Sequence, residues 1–161
     1  MHSLISAFLE NWNSFYANHA VVRTLIAFFH IGGLVIGGGC AITADRMTLL
    51  AARREPAERE LQLHTLKNSH RIVLISLGVV SFSGLLLFAA DTNTFLHSVW
   101  FWVKMGLIAA LMANGLVLTR AEKRAASDLN EGWRALTITS TLSLALWLIT
   151  TLAGAALPNV G

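Results

Sequence analysis

Lys104 is the most out-of-place residue in this chain. It sits in an apolar stretch, Val99 to Thr119, that holds no other charge. An ammonium inside hydrocarbon costs ~3 kcal/mol on insertion scales, so such residues usually face a bundle interior or a wet cavity; the rival reading is a chain that snorkels to the nearer surface. His30 stands alone in the same way between Thr24 and Ala44. If the two stretches are helices bounded by Arg23 and Arg46 and by His97 and Arg120, each residue lies outward of the span centre by roughly 6–8 Å at 1.5 Å per residue. Thr150, Thr151 and Ser83 fall near the same depth. One layer then holds an imidazole, an amine and hydroxyls, a set suited to ligating a metal, moving a proton or holding an anionic group.

Gly33 and Gly37 follow His30 on the same helical face. Small residues at this spacing let a helix or a flat ligand approach the backbone closely, and an imidazole above such a groove suits a porphyrin edge. Haem iron accepts histidine, so His30 is expected to ligate haem b. The second axial ligand would be His97 or Lys104, with His19 and Asp91 also near the outer mouth. The plainer expectation is a histidine bonded to a neighbouring helix. Copper is the alternative metal, with His30 and His97 as its ligands. His64 and His70 lie at the other surface. Asp45 and Arg46 are expected to pair with Asn114 or Ser76. Cys40 reads as a buried, inert thiol. The sequence carries no phosphate-binding loop, zinc-protease motif or nucleophile motif.

The elements that must position these residues are four apolar stretches, 24–44, 72–90, 99–119 and 135–157. Each approaches the ~20 residues a helix needs to cross ~30 Å of hydrocarbon. Of 161 residues, 55% are hydrophobic and 13% charged, and the mean hydropathy is +0.60. This predicts an all-α polytopic membrane protein: a single domain, 1–161, forming a four-transmembrane-helix bundle. The net charge of +3 does not point to nucleic acid. Ten of the twelve Lys and Arg residues fall in the first and third connections and none between Asp91 and Ser98. By the positive-inside rule both basic loops are cytoplasmic and both termini lie outside. The basic loops are also placed to meet anionic membrane lipid.

Residues 1–19 lack the basic start and continuous apolar run of a secretory signal. Leu4, Ile5, Phe8, Leu9, Trp12, Phe15 and Tyr16 recur at helical spacing, which predicts an amphipathic helix in the outer interface. The first span is expected to continue past Arg46 and break near Pro56, followed by a short surface helix over 57–68. Trp100, Trp102 and Trp133 read as interfacial aromatics, and Pro158 as the end of the last span.

These residues permit a comparison. His30 on a glycine-rich first span, Arg71 opening a second that reaches Ser83-Gly84-Leu85-Leu86-Leu87, and Val103-Lys104-Met105 followed by Asn114 resemble the bacterial copper-resistance D-type membrane domain. The order of histidine then lysine is similar to the bacterial four-helix protoporphyrinogen oxidase. That resemblance covers roughly 29–120, though Gly37-Gly38-Gly39-Cys40 replaces that family's aromatic- and proline-rich continuation. It implies His30 as haem ligand, Lys104 as the catalytic lysine and Arg46 near the family's arginine. The expected function is a b-type haem redox protein of the bacterial inner membrane, transferring electrons or oxidising a small lipid-soluble quinol or porphyrinogen, with Trp100, Phe101 and Trp102 shielding the site. The alternatives are a copper- or metal-handling transporter and an accessory subunit of a larger membrane complex. A homodimer through Gly33 and Gly37 is compatible with each.

Overall fold

The computed structural model describes the backbone of residues 2–127 and 129–160 and the side chains of residues 6–127 and 132–157. The described chain is helical, in the order α1 (His2–Asn18), α2 (Ala20–Ala51), α3 (Pro56–Ala90), α4 (Thr92–His97), α5 (Val99–Ser127) and α6 (Leu129–Val160). Helices α2, α3, α5 and α6 are long and apolar enough to cross a membrane, making this a multi-pass membrane protein. The 29 residues of α5 alone extend ~43 Å, well beyond the hydrocarbon layer.

Burial follows the logic of a lipid solvent. Phe28, Phe29, Val35, Phe82, Leu85, Leu116 and Leu152 are exposed, whereas Asp45, Thr48, Gln62, Ser83, Asn114, Glu122 and Thr150 are buried. In water that distribution would be inverted.

The bundle is two helical hairpins, α2–α3 and α5–α6, joined along α2 and α6; α3 and α5 come close at only a few points. Gly33 and Gly37 make the first hairpin. A Cβ on Gly33 would stand 2.7 Å from a methyl of Val80, and one on Gly37 2.7 Å from Cβ of Ser76. In the second hairpin, a Cβ on Gly132 would collide with the Ala125 backbone. The seam between hairpins is Trp147 of α6 against Gly38 of α2, 3.3 Å from where a Cβ would be. Ala41, Leu111 and Trp147 pack together there, with Leu34, Val73 and Leu77 around them. All four long helices thus contribute to one apolar layer at mid-depth.

Several boundaries differ from the sequence expectation. Residues 57–68 are not a separate surface helix. Pro56 occupies the first turn of α3, where its missing N–H has no partner to lose, and α3 then runs unbroken to Ala90. Leu63 and Leu66 are buried in one cluster with Leu118, Ala121, Ala125 and Leu136. Pro158 does not end α6, which continues to Val160. Trp133 stands at the start of the fourth span, Gly132–Leu157, but is turned into the bundle, 3% exposed, beneath the Arg59 guanidinium at 5.7 Å. Trp100 and Trp102 are exposed at the opposite, aromatic end. The connection over 91–98 is α4, capped by the Asp91 carboxylate accepting from Thr94 N–H at 3.2 Å. Helix α1 docks onto α3, with Trp12 Nε1 donating to the Leu86 carbonyl at 3.0 Å.

Candidate functional site

His30 projects from α2 toward α3. Its Nδ1 lies 3.2 Å from the Val80 carbonyl and 3.0 Å from Ser83 Oγ. A carbonyl only accepts, so Nδ1 carries the proton and donates. Ser83 Oγ donates in turn to the Val79 carbonyl at 2.7 Å, leaving its lone pairs for the imidazole. The ring edge fits because residue 84 is glycine: a Cβ there would stand 3.3 Å from His30 Cε1. This fixes ring orientation and tautomer together, and Nε2 keeps an unprotonated lone pair with no hydrogen bond among the described residues. Ligating histidines are generally prepared in this way, by a bond from the far nitrogen.

Lys104 comes from the other hairpin. It runs along α6 at Gly154, where a Cβ would stand 3.5 Å from both Cε and Nζ. The amine is close enough for its charge to act on the His30 imidazole. Among the described residues Lys104 has no carboxylate partner. Thr150 Oγ1 is buried at this level without a hydrogen-bond partner. The arrangement offers a basic nitrogen, an uncompensated cation and a free hydroxyl within an apolar surround. It can bind a metal-centred or anionic amphiphile.

The remaining expected residues do not join this site. Gly33 and Gly37 are filled by Val80 and Ser76, so their groove seats α3, has no room for a porphyrin edge, and is already used within the chain rather than offered to a second copy. His97 is exposed on α4, its Nδ1 donating to the Asn93 carbonyl at 2.7 Å. His19 is exposed, stacked on Phe15 at 4.1 Å. Arg46 is exposed at the basic end. Thr151 is exposed and donates to the Trp147 carbonyl of its own helix. Asp45 pairs with neither Asn114 nor Ser76: Asn114 Nδ2 donates to the Thr139 carbonyl at 3.0 Å, and Asp45 turns toward Ser143 and Ser140. Phe101 stacks with Phe88 at 5.4 Å and meets Phe95 at 5.6 Å, closing the α3–α5 gap at the aromatic end.

The sequence marks Gly84 only as part of a run of small residues and gives no signal for Gly154. Each lies on a helix face that only the paired side chain, His30 or Lys104, makes meaningful. Among the described residues no three His, Cys, Asp or Glu side chains converge as a metal-ligating group. A groove of about 500 Å³ lies on the lipid-facing side of α2 and α3, lined by residues including Phe29, Phe82 and Ser83 but neither His30 nor Lys104. No protein-family model, curated protein or solved structure matches this chain.

Proposed function

We propose that this protein is a b-type haem protein of a bacterial inner membrane that transfers electrons or oxidises a small lipid-soluble molecule such as a quinol. The observation that carries this reading is His30: Nδ1 is committed to Val80 and Ser83, and Nε2 has no hydrogen bond among the described residues. The donor set fits haem in part. His30 would supply a ligating nitrogen, and Lys104 either a further ligand or a countercharge to a propionate. The Gly33–Gly37 groove is filled by α3 and His97 is remote, while Gly84 and Gly154 give the His30 ring and the Lys104 chain their room, so a planar ring would have to part the hairpins to reach Nε2. Bound haem would supply one-electron chemistry. The protein's own share is to hold the imidazole in one tautomer and to exclude water with the apolar layer around Trp147.

The test is the absorption spectrum of the detergent-purified protein, oxidised and dithionite-reduced, after production with ample haem. The expected result is a Soret band with sharpened reduced bands, lost in His30→Ala without loss of helical circular dichroism. A featureless spectrum, or a full Soret band in His30→Ala, refutes the reading.

Under the same proposal the basic end faces the cytoplasm, as ten Lys and Arg in two connections favour. In a Cys40→Ser background, Asn11→Cys should react with an impermeant maleimide in intact cells and Arg53→Cys only after permeabilisation. The opposite pattern reverses the topology.

A further inference from the structure

A second polar cluster occupies the basic end, ~22 Å from His30 along α2 at 1.5 Å per residue. Its members come from all four long helices. Asp45 of α2 is 4% exposed and Glu122 of α5 is 8% exposed. Glu122 Oε2 lies 3.0 Å from Nδ1 of His70 on α3. Asp45 is within Coulombic reach of the same imidazole and lies beside the Ser143 and Ser140 hydroxyls of α6. Glu122 Oε1 is buried with no hydrogen-bond partner among the described residues.

The charges do not balance. With both carboxylates ionised and His70 neutral, the cluster buries two negative charges, and an imidazolium removes only one. Nearby cations do not supply the remainder. Arg46, Lys67, Arg71, Arg120, Lys123 and Arg134 are exposed. Arg59, whose Nη2 donates to the Ala52 carbonyl at 2.9 Å above Trp133 and whose Nε is buried without a hydrogen-bond partner, makes no ion pair with either carboxylate among the described residues. Burying an uncompensated carboxylate is strongly unfavourable, and a proton is the smallest species that removes the penalty.

We propose that Asp45, His70 and Glu122 form a proton-binding site at the basic end, in which Asp45 holds the proton as a carboxylic acid and exchanges it with solvent through His70. Asp45 is the more buried acid, and its hydroxyl neighbours can accept from a carboxyl O–H. The His70 side chain is 24% exposed, which gives the proton its path to water. Glu122, 3.0 Å from that imidazole, orients it.

The experiment is infrared spectroscopy of the full-length protein in detergent across pH, in H2O and D2O. It reads the carboxyl and not a chromophore, so it stands or falls separately from the haem proposal. The expected result at neutral pH is a carbonyl stretch from a protonated carboxyl, shifted by deuterium and abolished in Asp45→Asn. Should Asp45→Asn not fold, Glu122→Gln provides the check: the band persists but titrates at lower pH, because a neighbouring negative charge has gone. The absence of a protonated carboxyl at neutral pH overturns the proposal, as does a band unchanged in both variants. Loss of the band when sodium chloride replaces choline chloride also overturns it, by showing that a metal cation is the occupant.

Discussion

His30 and Lys104 were legible in the sequence because depth along a helix is a matter of counting, and a lone polar group in an apolar run is conspicuous. Direction was less legible. Thr150 and Thr151 share a depth, yet one helical step turns Thr150 into the bundle and Thr151 toward lipid. For the same reason Asp45 was given the wrong partners: the sequence does not say which helix lies opposite. Two predictions belong at this scale. Lys104→Met should raise the thermal midpoint of the protein purified without added haem, since a half-buried amine with no carboxylate partner is removed, and under the proposed function it should weaken haem retention; a midpoint that falls would mean the amine has a stabilising partner. Ser83→Ala should cost about 1 kcal/mol, because Val80 remains to accept from Nδ1. Gly84→Val, which pushes into the ring itself, should disturb haem retention more than Ser83→Ala does, and equal effects would argue against the packing of His30 on Gly84.

The glycines divide sharply at the level of the helix. Gly33, Gly37 and Gly132 sit where another helix leaves no room for a Cβ, whereas Gly32, Gly39 and Gly106 have nothing within 4 Å. The small-residue spacing was visible in the sequence, but whether it served a ligand or a helix was not, because both require the same absence of side chain. Gly37→Ala should destabilise the protein by about 1–3 kcal/mol, since the obstruction is Ser76 Cβ and the backbone must shift. Gly39→Ala should be neutral or stabilising by up to ~1 kcal/mol from helix propensity alone. Unfolding midpoints in detergent separate the two, and matching shifts would show that α2 and α3 do not meet at Gly37. The length of α3 was misread because residues 57–68 look amphipathic. That pattern reflects packing of Leu63 and Leu66 against α5 and α6 rather than a separate helix on a membrane surface.

At the scale of the whole molecule, composition sufficed for the four spans, since few soluble folds tolerate so much exposed Phe, Val and Leu. The pairing of spans into hairpins was not written in composition, because it depends on which small residues find each other. As contacts concentrate within α2–α3 and α5–α6, fragments divided within α4 and produced together should copurify; failure to do so would mean that the hairpins depend on their covalent link. The layer centred on Trp147 has one more consequence. On every long helix it separates the aromatic-end site from the basic-end cluster: Gly38 lies between His30 and Asp45, Leu77 between His70 and Ser83, Leu111 between Lys104 and Glu122, and Trp147 itself between Ser143 and Thr150. Titratable groups wired continuously across a bilayer would short-circuit the ion gradient that the membrane maintains. If both proposed sites operate, the apolar layer around this indole would keep their protons and electrons from passing between the two surfaces.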